Sequence, residues 1–458
     1  MLNKLTAGLV VASLGIGAAV AQTSIPLPSV GWGGSSVINR ATIGAWPQVN
    51  AVTDLKFVAD GVTNNSSKLA TLAANTTNPT VYFGPGTYNI GCPTSDTSMQ
   101  SNISIIGAGK GVTILKLSAA CSLPANLFLW QKGTSSAMTG TGIKVSGFTL
   151  DLNGATRTSS GRIINFSSIS DSSIDNLNII NGGSGFLYLI ERSGNPTGSK
   201  NVLIADNYLA LTSPSTDPNQ CIDFFNTGGI DRGDVLRNTC VNSGMNINGT
   251  NITVDSNDVH GWGFGAGGGT AAVAGVSNVT FSNNKFHDSS TVMDSSGGGC
   301  VETWAPNVAI IRNQFYNCAT DGLSVGGQNN TVVGNIAYGN GTRTSPVLTP
   351  GVTCDFKARY IDATYNGNGS VYASNKSYIA SGGTEGYGFC DQSASNSNIT
   401  LTGNHWVGSV AAIQTLNGSN YTIDAASNGL VGVTSCTVVT AGATITIKNG
   451  SITAFTGC

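Results

Sequence analysis

The chain has 458 residues, 21 Lys and Arg against 23 Asp and Glu, a net charge of −2, and only 10% charged residues beside 61 glycines. That balance offers no basic face and excludes nucleic acid as a partner. The Gly, Ser, Thr and Asn richness has the look of low complexity, but β-branched residues recur in register, which disordered tracts do not do.

Residues 1–21 read as a secretory signal. Lys4 supplies the positive region, LTAGLVVASLGIGAAV the apolar core, and Ala19-Val20-Ala21 the cleavage pattern. No later segment is long and apolar enough to span a membrane, so the mature chain is expected to be secreted, extracellular or periplasmic, with no membrane partner. Residues 22–54, with Trp32 and Trp46, form an N-terminal lead-in. From Leu55 to Ile90, Asn65 or Ser66 can cap a short helix with Leu69, Leu72 and Ala73 on one apolar stripe. Thr80–Phe83 then reads as a strand closed by Gly84-Pro85-Gly86.

From there a phrase repeats: β-formers, an Asn, then more β-formers. NVLIADNYLAL from Asn201, NITVDSNDVHG from Asn251 and NVTFSNNKFHD from Asn278 are clear copies. Aligned on the second Asn, the series runs Asn176, Asn207, Asn238, Asn257, Asn284, Asn313, Asn335, Asn375, Asn404, Asn428, in steps of 19 to 40 residues. A period of that size built on short strands marks a solenoid, which reconciles this length with one domain, 55–435. The helix covers its first coil, and residues 436–458 form a C-terminal cap. Longer excursions at 212–220, 261–276, 289–299 and 340–370 leave from one side of the coil, where solenoids carry function. The ten Cys fall at intervals near one repeat, which predicts local disulfides Cys92/Cys121, Cys221/Cys240, Cys300/Cys318, Cys354/Cys390 and Cys436/Cys458, suited to an oxidising compartment. None of the spacings is a zinc knuckle.

Asp60-Gly61-Val62-Thr63, the short helix and Val81-Tyr82-Phe83-Gly84-Pro85-Gly86-Thr87-Tyr88 resemble the N-terminal segment of the pectate-lyase-like superfamily. Asn64 and Asn65 stand where that group usually has an acidic pair. With the ladder, the resemblance covers roughly residues 50–435. It implies an all-β fold, a single-stranded right-handed parallel β-helix with a short N-terminal capping helix, in a group that includes pectinases and tailspike depolymerases. One fold hosts many chemistries, so activity does not follow.

Equivalent residues on successive coils sit about 4.8 Å apart, so side chains stack in columns. Two places after each Asn come Leu209, Cys240, Val259, Phe286, Phe315, Ala337 and Trp406, an inward apolar column. Three places after come Val241, His260, His287, Tyr316, Tyr338, Tyr378 and Val407, outward by alternation. These His and Tyr either pack under loops or supply acid–base groups and sugar-stacking faces. CIDFF, CVETW, GLSV, FCDQ and AIQT align as a second outward column with Asp223, Glu302, Ser324, Asp391 and Gln414. Asp223 and Glu302 lie three levels apart, roughly 14 Å by strand spacing, beyond the about 5–9.5 Å of a glycosidase pair.

The candidate site therefore falls on about three coils. Glu302, Asp321, Asp294 and His287 are the catalytic candidates, and His260, Trp262, Trp304, Tyr316, Tyr338 and Asp223 the substrate-binding ones; Asp321 before Gly322 also reads as a turn residue, and Asp288 as a backbone acceptor. No Gly-His-Gly, Arg-Ile-Lys or Asp-Asp set of polygalacturonases is present, nor the Asp-rich calcium constellation of pectate lyases, so neither catalytic set transfers. No metal or other cofactor is expected; calcium on Asp288, Asp294 or Asp321 has no clear motif behind it. The leading expectation is a secreted enzyme, monomer or homotrimer, cleaving a polysaccharide along the groove. Glu302 would act as acid with Asp321 or Asp294 in hydrolysis, or His287 or Tyr316 as base in β-elimination. Only Arg312 and Lys285 offer a nearby cation for a uronate, which tilts the balance to hydrolysis. The other class is a non-catalytic carbohydrate-binding or adhesive solenoid.

Overall fold

The computed structural model describes residues 48–423 and 445–447, apart from 120, 124–125, 131–139, 157–160, 184–186, 194–198, 215–219, 226–229, 264–265, 273, 291–298, 344–352, 361, 379–385, 394, 409–410 and 414–420. Short strands wind through three walls, and within each sheet the strands of successive coils pair in parallel. One coil runs Ser277–Ser282, Lys285–His287, Val301–Thr303. The first wall is a 16-stranded sheet opening at Gln48–Asn50, and the second an 11-stranded sheet from Gly86–Gly91 to Lys376–Tyr378. The third is a five-stranded sheet from Asn126–Trp130 to Gly244–Ile247, followed by a six-stranded one from Gly268–Thr270 to Ala411–Ile413.

The corners explain why each repeat carries so much Asn. Asn201, Asn251, Asn278, Asn307 and Asn398 open first-wall strands with φ between 49° and 59°. Asp206, Arg237, Ser256, Asn283 and Arg312 turn the chain from first to second wall, and Asn242, Gly261, Asp288 and Asn317 turn it out of the second, again with positive φ. Gly, and to a lesser degree Asn and Asp, visits this region most readily, and most of the corners carry one of them, while Arg237, Ser256 and Arg312 hold the same conformation against their side chains.

The Asn after the first-to-second corner points inward. Asn207, Asn238, Asn257, Asn284, Asn313, Asn335, Asn375 and Asn404 are all buried. Each Oδ1 from Asn238 onward accepts the backbone N–H and the Nδ2 of its predecessor, as Asn313 does from Asn284 at 2.9 Å each. Each Nδ2 also donates to a backbone carbonyl on the preceding coil, as Asn313 does to Phe281. These bonds satisfy amides that burial alone would leave costly. The expected first member is displaced: Asn178 is in register with Tyr208, so Leu177 takes the ladder place and Asn176 is the positive-φ corner. Asn428 lies outside the described residues.

The helix α1, Ser66–Ala73, buries Leu69, Leu72 and Ala73 as expected. Its cap differs. Asn64 Oδ1 accepts the Ser66 N–H at 2.8 Å, whereas Asn65 Oδ1 accepts from Val58 N and its Nδ2 reaches the Val58, Thr63 and Asn89 carbonyls, tying the capping segment to the first coil. Disulfides join Cys92–Cys121, Cys221–Cys240, Cys300–Cys318 and Cys354–Cys390 in the expected pairing; Cys436 and Cys458 lie outside the described residues. Four disulfides fit an oxidising compartment. Among the described residues no helix is long and apolar enough to cross a membrane.

Candidate functional site

Alternation along the second wall puts Phe286 and Phe315 in the core and His260, His287, Tyr316 and Tyr338 outside, one above another in register. Their rings stack on each other, with centroids 5.1, 4.5 and 4.9 Å apart and planes within 17°. Both faces of Tyr316 and one face each of His260 and Tyr338 are thereby turned to neighbouring rings, so the sugar-stacking expectation does not match the geometry of Tyr316 and is reduced to one face at His260 and Tyr338. His287 is clamped: one ring nitrogen lies 2.8 Å from Asp258 Oδ1 and the other 2.8 Å from Asp288 Oδ2. Burial pushes the His287 pKa down, but the bonds to Asp258 and then Asp288 outweigh it and raise it. Burial and the neighbouring His287 charge lower that of His260. Burial pushes the Tyr316 phenol up to about 12, which keeps it protonated at neutral pH and leaves little phenolate to act as a base. Asp288 turns the corner and accepts from Asn317 Nδ2 at 2.8 Å, so its structural roles are filled.

On the third wall the outward column reads, in register, Asn165, Glu191, Asp223 and Asn246, then Gly269, Glu302, Ser324 and Lys357. Asp223 and Glu302 are three levels apart, as expected. Two members of the expected column fall away. Lys357 is in register with Cys390, so Asp391 points the other way, buried and bonded to the Tyr421 hydroxyl and Asn396. Gln414 lies outside the described residues, as does Asp294.

Glu302 keeps a partly exposed carboxyl bonded to Arg359 Nη1. Burial raises its pKa, Arg359 opposes that, and Asp321 adds to it. The Arg359 guanidinium lies 4.6 Å from the centroid of the Trp304 ring, which rests flat on Gly326, where an added Cβ would come within 2.1 Å of the ring. Asp321 is fully engaged: Oδ2 accepts from Lys357 Nζ at 2.6 Å and Oδ1 from the Cys354 N–H at 2.9 Å. Two cations therefore stand beside Glu302, which corrects the apparent shortage. Lys285 instead projects from the second wall, and Arg312 Nε donates to Asn283. Lys357 and Arg359 escaped notice because 340–370 reads as one excursion; the strand Cys354–Ala358 lies inside it.

Trp262 belongs to the core, 1% exposed beneath Gly267, and is no platform. It follows the Gly261 corner, where strand alternation stops applying. Asp223 is also buried, at 1% exposure, rather than surface-facing. Burial pushes its pKa up to about 7 against the opposing pull of Asn246 Nδ2, at 2.8 Å, and the more distant Arg162. Directly in register on the preceding coil stands Glu191, equally buried and ion-paired with Arg162 Nε. Aligning LYLIERS on QCIDFF would have found it.

Among the described residues no group of three or more His, Cys, Asp or Glu side chains is placed to hold a metal ion. The family described as "Rhamnogalacturonase A/epimerase, pectate lyase-like" matches residues 48–324, and "Right handed beta helix region" matches residues 230–427. No curated protein sequence matches the chain. Among solved structures, the A-module of the Azotobacter vinelandii mannuronan C-5 epimerase AlgE4 is similar at 15% identity and a TM-score of 0.60, over 82% of this chain and 99% of that one. The AlgE6 A-module of the same organism is similar at 17% identity and 0.58, over 82% and 97%. At these identities the likeness is one of fold alone.

Proposed function

The chain belongs to the rhamnogalacturonase A/epimerase, pectate-lyase-like family, and from that premise we propose that it is a secreted enzyme cleaving a polysaccharide bound along the outward face of the third wall. The observation that carries the reading is the Glu302–Arg359 pair: a partly exposed carboxyl with a raised pKa, beside a second cation at Lys357 and the Trp304 ring. A carboxyl poised nearer neutrality serves as a proton donor or acceptor. Arg359 and Lys357 are suited to meet the carboxylate of an acidic sugar as charge develops beside it. Asp321 is occupied by Lys357 and Cys354 and makes a poor second carboxylate for hydrolysis at this centre. The cations therefore favour β-elimination from a uronate-containing chain, with Glu302 taking the proton and Asp321 positioning Lys357.

A spectrophotometric screen over several polysaccharides tests this, because elimination creates an unsaturated product that absorbs in the ultraviolet. Glu302→Gln is expected to lower that signal by about 10²–10⁴-fold with binding retained, the usual size of an acid–base contribution. A wild type that binds a glycan and releases no new ends would instead make the protein an adhesive or binding solenoid.

A further inference from the structure

The outward column of the third wall holds a second group of ionisable side chains, at the levels of Asn165, Glu191 and Asp223. Strand neighbours in a parallel sheet lie about 4.8 Å apart, and two carboxylates directly opposed at that spacing repel one another. Here Arg162 pairs directly with Glu191 and acts on Asp223 only from a distance, while Asp223 accepts from the Asn246 amide. The level above is unfinished. Asn165 is 6% exposed and spends its Nδ2 on Asn126 Oδ1 at 3.0 Å, while its Oδ1 has no partner among the described residues. Gln220 Oε1, three residues before Asp223, is buried and without one too. A buried acceptor left open beside two carboxylates is a place where a hydroxyl-bearing ligand completes the bonding.

We propose that Glu191 and Asp223 form a second, hydrolytic centre for a glycan on the same groove, with Asn165 Oδ1 accepting a sugar hydroxyl. The inference rests on the reading that the groove holds a polysaccharide. Asp223 donates its proton to the glycosidic oxygen as the C1–O bond breaks, and the Glu191 carboxylate forms a bond to C1. Water then attacks C1, its proton returns to Asp223, and Glu191 leaves; one water is consumed and the anomeric configuration is retained. Retention is the expected outcome because adjacent levels are spaced by about 4.8 Å, close to the about 5–5.5 Å carboxyl separation of retaining rather than inverting glycosidases. The division of labour follows from the surroundings: Glu191, ion-paired with Arg162, is the nucleophile, and burial favours the protonated form of Asp223 as the acid. Both residues are 1% exposed, and the Arg162 side chain paired with Glu191 is 23% exposed, so access to the pair is proposed beside Arg162.

The test compares full-length wild type, E302Q, D223N and E191Q on a panel of polysaccharides. Unsaturated product is followed in the ultraviolet and total reducing ends chemically, with thermal unfolding confirming the fold of each variant. E302Q is expected to keep forming reducing ends that lack the chromophore, with retained configuration by proton NMR. D223N and E191Q are each expected to lose that hydrolysis by at least about 100-fold while leaving the chromophore-forming reaction in place. Unchanged hydrolysis in either variant, inverted products, or a wild type with no hydrolysis at all overturns the proposal. Hydrolysis without any unsaturated product upholds it and removes elimination at Glu302 instead.

Discussion

Asp223→Asn should make the protein more stable at alkaline pH, and the size of the gain follows from the burial of the carboxyl. The group moves from an ordinary value of 3.8 to about 7 in the fold. Each unit is worth about 1.36 kcal/mol, so roughly three units amount to about 4 kcal/mol. The sign comes from which form the fold disfavours. Below pH 3.8 both states carry the proton and nothing is lost. Between 3.8 and about 7 the unfolded chain releases a proton that the native state keeps, so stability falls as pH rises, by up to about 1.4 kcal/mol per pH unit. Above 7 the full penalty applies. Asn is nearly the shape of the neutral acid, and its Oδ1 can still accept from Asn246, so the variant has no such slope. Urea midpoints converted to free energies at pH 4 to 9 read the effect directly. The curves should nearly coincide at pH 4 and diverge to a few kcal/mol in favour of D223N at pH 8. Parallel curves across that range would falsify the assignment of a raised pKa to Asp223.

Other outcomes follow from single contacts. Asn313→Ala removes the acceptor for the Asn284 N–H and Nδ2 and the donor to Phe281 O and Asn335 Oδ1; leaving buried amides open should lower denaturant stability by about 3 kcal/mol. Gly269→Ala would put a Cβ 1.7 Å from the Glu302 carbonyl at a backbone φ of +148°, so the soluble yield should collapse or, in any folded fraction, the Glu302-dependent signal should disappear. Asp258→Asn removes one of the two carboxylate contacts, each 2.8 Å, that raise the His287 pKa, and an NMR titration should show that pKa falling. Because that value is raised in the wild type, the stabilisation His287 provides is present at acid pH and lost as pH climbs through its folded pKa; the variant should show less of that loss.

The repeat was legible because its physical demands recur on every coil. A positive φ favours Gly, Asn or Asp, an inward polar place needs a side chain that donates and accepts, and Phe286, Phe315 and Trp406 must fill one interior. Cysteines one coil apart read correctly for the same reason. What failed was register. Asn176 and Asp391 each lie one residue from the place alignment assigned them, and one residue in a strand exchanges inside for outside. Trp262 sits past a corner, where alternation no longer applies. Lys357 belongs to a strand set between two loops and Arg359 directly follows it, so no neighbouring ladder Asn pointed to them. Glu191 was hidden in the same way, by the Ser- and Gly-rich stretches on either side of LYLIERS.

Once register is known, the outward column of the third wall shows a pattern that composition could not. A coil adds one side chain to that column about every 4.8 Å, so like charges on adjacent levels repel. Most of the column avoids this: Asn246 and Gly269 separate Asp223 from Glu302, and Ser324 separates Glu302 from Lys357. The rule is broken only at Glu191 and Asp223 among the described levels, in a chain with few acidic residues and many Asn and Ser that could have stood there. Arg162 pairs with one of the two carboxyls, and its weaker pull on the other is outweighed by the burial that favours the proton there. A purely structural column would have no reason to keep that arrangement, since Asn at 223 would satisfy Asn246 equally well and remove a penalty of about 4 kcal/mol at alkaline pH. A variant that gains stability there while losing hydrolysis would show that the carboxyl is kept for its chemistry; one that gains stability and keeps every activity would show that it is not.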